Sequence, residues 1–221
     1  MIVFDVDGTL IGGEITDWAS FDAAFKEAAG FALPEHFFSE IEEVTAQAIV
    51  HQALFSRTHD ERRQIERAVA EGYVRRLREA HRCDPLCFPV TAGVVELLHD
   101  LRTRGILVAI ATGDWRESIT FKLRAAGIPF DDLPLVSSSE HHCRKDIITA
   151  AVEQAGGSLE EAVYVGDGVW DLRACRQLGI PFLGVGPRRE KLREAGARHI
   201  LDDLHPDSFW SVHQKVTWNR K

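Results

Sequence analysis

The chain has 221 residues, 45% of them apolar, which suffices for a sizeable core in one domain with an insertion or in two small domains, and excludes general disorder. Its formal net charge of −8 excludes the basic excess of a nucleic-acid binder, and no uncharged apolar stretch reaches the roughly 18 residues of a membrane span. The first residues lack a basic-then-apolar signal order, and Cys83, Cys87, Cys143 and Cys175 form no framework pattern, so reduced thiols in a cytoplasm are expected.

The chain begins with four apolar residues, Met1 to Phe4, that run into Asp5, Asp7, Gly8 and Thr9. Short, branched and aromatic, the run predicts a buried strand, the central one of its sheet. Asp5 sits at the expected strand end. Positions two apart in an extended chain face the same side, so Asp5 and Asp7 are expected to face one small volume. Two carboxylates that close call for a cation or a shared proton, and Mg²⁺ suits oxygen ligands. Taken alone, the pattern also suits a solvated turn.

Ile11-Gly12-Gly13 reads as a hinge or entry loop. From there to Phe88 only helical periods appear. One helix carries Trp18, Phe21, Phe25 and Ala28. A second carries Phe37, Ile41, Val44, Ala48 and Phe55. A third runs from Ile65 through Val69, Gly72 or Tyr73, and Leu77 to Ala80. Gly30 and Pro34 separate the first two, and Arg57 to Asp60 the next two. Acids crowd the early part, including Glu14, Asp17, Glu35, Glu40 and Glu43, and arginines crowd residues 57 to 82. The arginines read better as exposed pairs with Glu61, Glu66, Glu71 and Glu79 than as a phosphate-attracting face.

Beyond Pro89, helix and strand alternate. The predicted elements are a helix at 93–104, a strand at 106–111, a helix at 115–126, a strand at 133–136 and a helix at 145–155. A strand at 162–165, a helix at 172–178, a strand at 180–185, a short helix at 191–195 and an edge strand at 199–201 follow. This is the rhythm of an α/β fold with a doubly wound parallel sheet, and residues 13–88 form an all-helical insertion. The expected domains are a core of 1–12 and 89–221 and a helical cap of 13–88. The tail from His205, with Trp210 and Trp218, is expected on the sheet edge or on a partner. His141-His142-Cys143 reads as a polar loop beside Ser137 to Ser139 rather than a metal site.

In such a sheet the carboxyl ends of the strands share one crevice. The first strand delivers Asp5 and Asp7, the second Thr112 with the free N–H of Gly113, and the fourth Asp167 and Asp171. Lys145 opens the helix after the third. Each has an ordinary structural reading, Thr112 as a helix cap for instance. Together they are the parts needed to hold a phosphoryl group and a cation.

Asp5-Val6-Asp7-Gly8-Thr9, Thr112, Lys145 and Gly166-Asp167-x-x-x-Asp171 resemble the four ordered motifs of the haloacid dehalogenase-like superfamily, and the inserted helices resemble its helical cap. The resemblance implies a Mg²⁺-dependent phosphatase that hydrolyses a small phosphorylated metabolite through an aspartyl-phosphate. It implies that Asp5 is nucleophile and magnesium ligand. Asp7 would protonate the leaving oxygen, activate water and offer its carbonyl to the metal. Thr112, Gly113 and Lys145 would bind phosphoryl oxygens, Asp167 would complete the metal shell, and Asp171 would support it or pair with Lys145. Many phosphatases of the family carry proline after the lysine, whereas Arg144 and Asp146 flank it here. Asp114 stands without an assigned role. A phosphomutase shares the same core, and a non-catalytic phosphate-binding module is the reading from another class. Dehalogenase chemistry is disfavoured because Asp7 is present. Neither nucleic acid nor membrane is an expected partner, and oligomeric state is not legible.

Overall fold

In the computed structural model, which describes residues 1–34, 37 and 41–218, five strands form one parallel sheet in the order β3-β2-β1-β4-β5. They are β1 (Ile2–Phe4), β2 (Val108–Ala111), β3 (Leu135–Val136), β4 (Val163–Gly166) and β5 (Phe182–Gly184). Central β1 pairs Ile2 with Val108 on one side and with Val163 on the other. Every residue of β1, β2 and β4 is buried, as a parallel sheet covered on both faces requires. The period of two sorts their side chains into two cores. Ile2, Phe4, Ile110 and Val165 share one, and Val3, Ala109, Ala111 and Tyr164 the other. Strand order reverses between β1 and β4, so the carboxyl ends of these two strands flank the crevice where ligands bind in such sheets.

Between β1 and β2 lie α1 (Glu14–Ala29), α2 (Ala46–Ala53) and α3 (His59–Cys83), the helical cap. α1 ends at Gly30 in the left-handed conformation, and Thr58 opens α3 through a capping box with Glu61. α1 lies along α3, where Gly72 lets the two helices approach: a Cβ there would sit 3.4 Å from that of Ala24. Phe21 packs edge-on to Tyr73 of α3 and stacks on Trp115 of the core, at 5.7 and 5.8 Å between ring centres. The cap therefore shares one apolar cluster with the sheet rather than sitting apart from it.

The remaining helices are α4 (Val94–Thr103), α5 (Arg116–Ala125), α6 (Arg144–Gln154), α7 (Val169–Leu178), α8 (Arg189–Glu194) and α9 (Pro206–Trp218). Leu97 of α4 and Ile119 of α5 join the Ile2 and Phe4 core, and Ile147 of α6 and Leu172 of α7 join that of Val3. No helix among the described residues is long and apolar enough to cross a membrane.

Three expectations change. The stripe from Phe37 to Phe55 is not one helix, because residues 41–45 are not helical. α2 starts only at Ala46, since the Thr45 hydroxyl accepts from the Ala48 N–H and caps it, while residues on either side bond to the core. The predicted edge strand near His199 reduces to a single bridge between Ile200 and Gly184. The tail packs on α4 rather than on the sheet edge, as Trp210 donates to Asp100 at 2.6 Å. On α3, Arg75 and Arg76 pair with Glu27 of α1 and Arg78 with Glu117 of α5, while Arg57 pairs with Glu61 as expected. Glu35, Glu40 and the side chain of Trp218 lie outside the described residues.

Candidate active site

β1 stops at Phe4, and the Asp5 N–H donates to the Val165 carbonyl at 2.9 Å, which extends the pairing to β4 by one bond. The Asp5 carboxylate is thereby set at the crevice, where the Thr9 hydroxyl donates to it at 3.3 Å. Gly8 is in the left-handed region, and a Cβ there would run into Asp167 Oδ2. Only glycine lets the first loop close against the fourth-strand acid.

Asp167 and Asp171 arrive from the end of β4 and the first turn of α7. Oxygens of Asp5, Asp167 and Asp171 lie within 4.8 Å of one another, and all three residues are buried. Asp171 accepts from the Gly168 N–H at 3.1 Å and the Tyr164 hydroxyl at 3.2 Å, so it is braced on both sides. Asp167 pairs with Arg188 through one oxygen, while its buried Oδ1 has no hydrogen-bond partner among the described residues. Burial above all, together with the neighbouring Asp171 and against the pull of Arg144, raises the Asp5 pKa to about 7. Asp167 and Asp171 are pushed up by burial too, against the pull of Arg188 and Arg144 respectively. Crowded carboxylates that resist ionising, with one orphaned oxygen among them, fit a hard divalent cation.

Thr112 and Gly113 follow β2. The Thr112 N–H donates to Val136 and its hydroxyl accepts from the Asp114 N–H at 3.2 Å. The Gly113 carbonyl accepts from Ala46 of the cap at 2.7 Å, and a Cβ on Gly113 would strike the Arg144 guanidinium.

Lys145 is not brought to this site. It is exposed on α6, whereas Arg144 is buried. Arg144 Nη1 lies 3.2 Å from Asp5 Oδ1 and 3.3 Å from Asp171 Oδ1, and its Nη2 donates to the Val44 carbonyl at 2.9 Å. One step along a helix turns a side chain by about 100°, so only one of two neighbouring cations can face inward. The sequence held the signal: Arg144 lies three, four and seven residues before Ile147, Ile148 and Ala151, on the buried stripe of α6.

Asp7 also parts from the expected arrangement. Asp5 and Asp7 line the same cavity of about 80 Å³, but their carboxylates join different groups. Asp7 gathers with Asp17 of α1 and Asp114 around the ammonium of Lys122, at 2.7, 2.6 and 2.8 Å. Lys122 is completely buried, and the Tyr73 hydroxyl of α3 lies 3.2 Å from it. Burial raises the pKa of Asp7, opposed by Lys122 and reinforced by Asp17 and Asp114. Burial alone would lower that of Lys122, but the three acids outweigh it and the net direction is up. A lysine at the stripe position between Ile119 and Leu123 was the overlooked signal.

The cap supplies the remaining cavity wall with Glu14, Trp18, Phe21, Ile49 and Tyr73, and the core adds Trp170 and Arg188. Among the described residues the buried Oε1 of Glu14 lacks a hydrogen-bond partner, as Asp167 Oδ1 does.

A model of the haloacid dehalogenase-like hydrolase family matches residues 1–179. A phosphoglycolate phosphatase of Caulobacter vibrioides is 31% identical over 114 residues, which cover 49% of this chain and 48% of that protein, about half its length. A phosphoglycolate phosphatase of Synechococcus elongatus is 23% identical over 83% of this chain and 82% of its own. Among solved structures, a β-phosphoglucomutase from Clostridium difficile superposes with a TM-score of 0.76 at 16% identity, covering 99% of this chain and 97% of that one.

Proposed function

Because the chain belongs to the haloacid dehalogenase-like hydrolase family, we propose that it is a Mg²⁺-dependent phosphatase acting on a small phosphorylated metabolite. The observation that carries this reading is the meeting of Asp5, Asp167 and Asp171 within 4.8 Å, with Arg144 3.2 Å from Asp5. Residues 13–88 act as cap, and 1–12 with 89–221 as catalytic core.

Asp5, the Asp7 carbonyl and Asp167 would hold the metal, which when bound offsets phosphoryl charge and favours the ionised Asp5. Asp5 attacks phosphorus and forms the aspartyl-phosphate as the ester oxygen departs. Asp7 gives that oxygen its proton, then takes one from the water that cleaves the acyl phosphate. Arg144, the Thr112 hydroxyl and the Gly113 N–H hold the phosphoryl oxygens, and Arg144 assumes the part first assigned to Lys145. Asp171 steadies Arg144 from behind.

The cavity of about 80 Å³ limits what can accompany the phosphoryl group. That size supports a phosphorylated acid of a few carbons, with Arg188 as a cation for its carboxylate. Phosphoglycolate, on which the two relatives are named as acting, is the first substrate to test.

The test is phosphate release from p-nitrophenyl phosphate and from a panel of short phosphorylated acids, with and without Mg²⁺. Mg²⁺-dependent release is expected. Accumulation of a phosphorylated isomer in place of free phosphate would identify a mutase. Tight phosphate binding without turnover would identify a binding module.

A further inference from the structure

We propose that Lys122 is a positioning residue that fixes the carboxylate of Asp7 for proton transfer, with the cap completing its ligand set. The proposal rests on the phosphatase reading above and adds to it a residue outside the cavity.

An ammonium has three N–H donors. Those of Lys122 go to Asp7 Oδ1 at 2.7 Å, to Asp17 Oδ1 at 2.6 Å and to the Tyr73 hydroxyl at 3.2 Å, and Asp114 Oδ2 completes the charge balance as an ion-pair partner at 2.8 Å. The three acids come from the loop after β1, from α1 of the cap and from the loop after β2. The cluster is braced in turn. Tyr73 donates to Asp17, and the Trp115 N–H and Ser118 hydroxyl both donate to Asp114 Oδ1 at 2.7 Å. An ammonium with every donor engaged by braced partners cannot swing, and it holds Asp7 Oδ1 in one place. The Asp7 side chain remains 27% exposed and lines the cavity, whereas Lys122 is fully buried and does not. Lys122 therefore acts through Asp7 and does not touch substrate.

A counter-ion for packing alone would be a poor use of this position. Lys122 lies on the apolar stripe of α5 beside Ile119 and Leu123, where a methionine, with apolar residues in place of the three acids, would fill the space without burying charge. Buried ion clusters are often no more stable than apolar replacements of similar volume. The charge is explained by what it holds.

The experiment separates the two chemical steps. p-Nitrophenolate leaves without a proton, so formation of the aspartyl-phosphate from p-nitrophenyl phosphate does not need Asp7, whereas its hydrolysis does. In Lys122→Met, the rapid burst of nitrophenolate is expected to stay within about threefold of wild type. Steady-state turnover is expected to fall roughly thirtyfold or more, with KM little changed, as the phosphoenzyme accumulates. Burst and turnover falling together in a folded variant, or neither falling, would overturn the proposal. Should Lys122→Met not fold, Lys122→Met with Asp114→Asn keeps the net charge of the cluster and is judged by the same two outcomes. Wild-type protein that releases no phosphate overturns the phosphatase reading and this proposal together. Wild-type turnover with an unaffected variant overturns this one alone.

Discussion

Arg144 Nη1 stands 3.2 Å from Asp5 Oδ1 and 3.3 Å from Asp171 Oδ1, and none of the three side chains is more than 6% exposed. The same guanidinium reaches the Val44 carbonyl in the cap. One buried cation thus balances two core acids and ties the segment before α2 to the sheet rim. Arg144→Met leaves Asp5 and Asp171 without their partner, a loss of the kind that costs about 3–5 kcal/mol in buried pairs. A folded Arg144→Met is expected to lose at least a hundredfold in kcat/KM. Lys145→Met, on the exposed side of α6, is expected to stay within about twofold. Steady-state kinetics of the two variants side by side check this, and equal losses would return the phosphate-binding role to Lys145.

Asp5→Asn is expected to abolish turnover and, in metal-free protein at pH 8, to raise the melting temperature. The variant removes one of three like charges held within 4.8 Å in a buried site. A gain of about 1–2 kcal/mol corresponds to several degrees for a chain of this size. A variant that is inactive and also melts lower would mean that Asp5 is needed for the fold rather than for chemistry.

The pH dependence has a definite sign. Folding raises the Asp5 pKa from 3.8 to about 7, chiefly through burial. The folded state therefore prefers the protonated acid. The associated stability is fully present below about pH 4 and is lost as pH rises through 7, at most on the order of 4 kcal/mol. In metal-free protein, the melting temperature of wild type minus that of Asp5→Asn should become more negative from pH 5 to pH 8. Saturating Mg²⁺ should shrink the difference at pH 8. A flat difference across that range would remove the electrostatic account of the cluster.

Asp167→Asn should weaken Mg²⁺ binding by tenfold or more in isothermal titration calorimetry. Its buried Oδ1 has no hydrogen-bond partner among the described residues and sits among the site's carboxylates. Unchanged affinity would place the cation elsewhere.

Gly113→Ala should cut kcat/KM by at least tenfold and lower the melting temperature. The added methyl meets the Arg144 guanidinium and lies 2.9 Å from the Val44 carbonyl. The contact shifts the cation that faces Asp5 without touching the sheet core. Wild-type kinetics in this variant would show that Arg144 tolerates displacement.

Local pattern was enough for much of the molecule. Four apolar residues before Asp5, strand-like runs at 106–111 and 162–165 and the alternation of helix and strand beyond Pro89 specify a parallel α/β core with a helical insertion, because strand and helix periods are written in short stretches of chain. The same reasoning placed Asp5, Thr112, Asp167 and Asp171 at strand ends that must share a crevice. Side-chain direction within a turn of helix, and contacts between elements far apart in sequence, were decided only by the tertiary structure. Arg144 rather than Lys145 faces Asp5 because α6 buries the stripe of Ile147 and Ile148, and Arg144 belongs to it. Asp7 turns to Lys122 because α5, α1 and the loop after β2 converge there, from residues 122, 17 and 114. No local period encodes a meeting of three segments so far apart, and a buried charge finds its partners only once packing has brought them together.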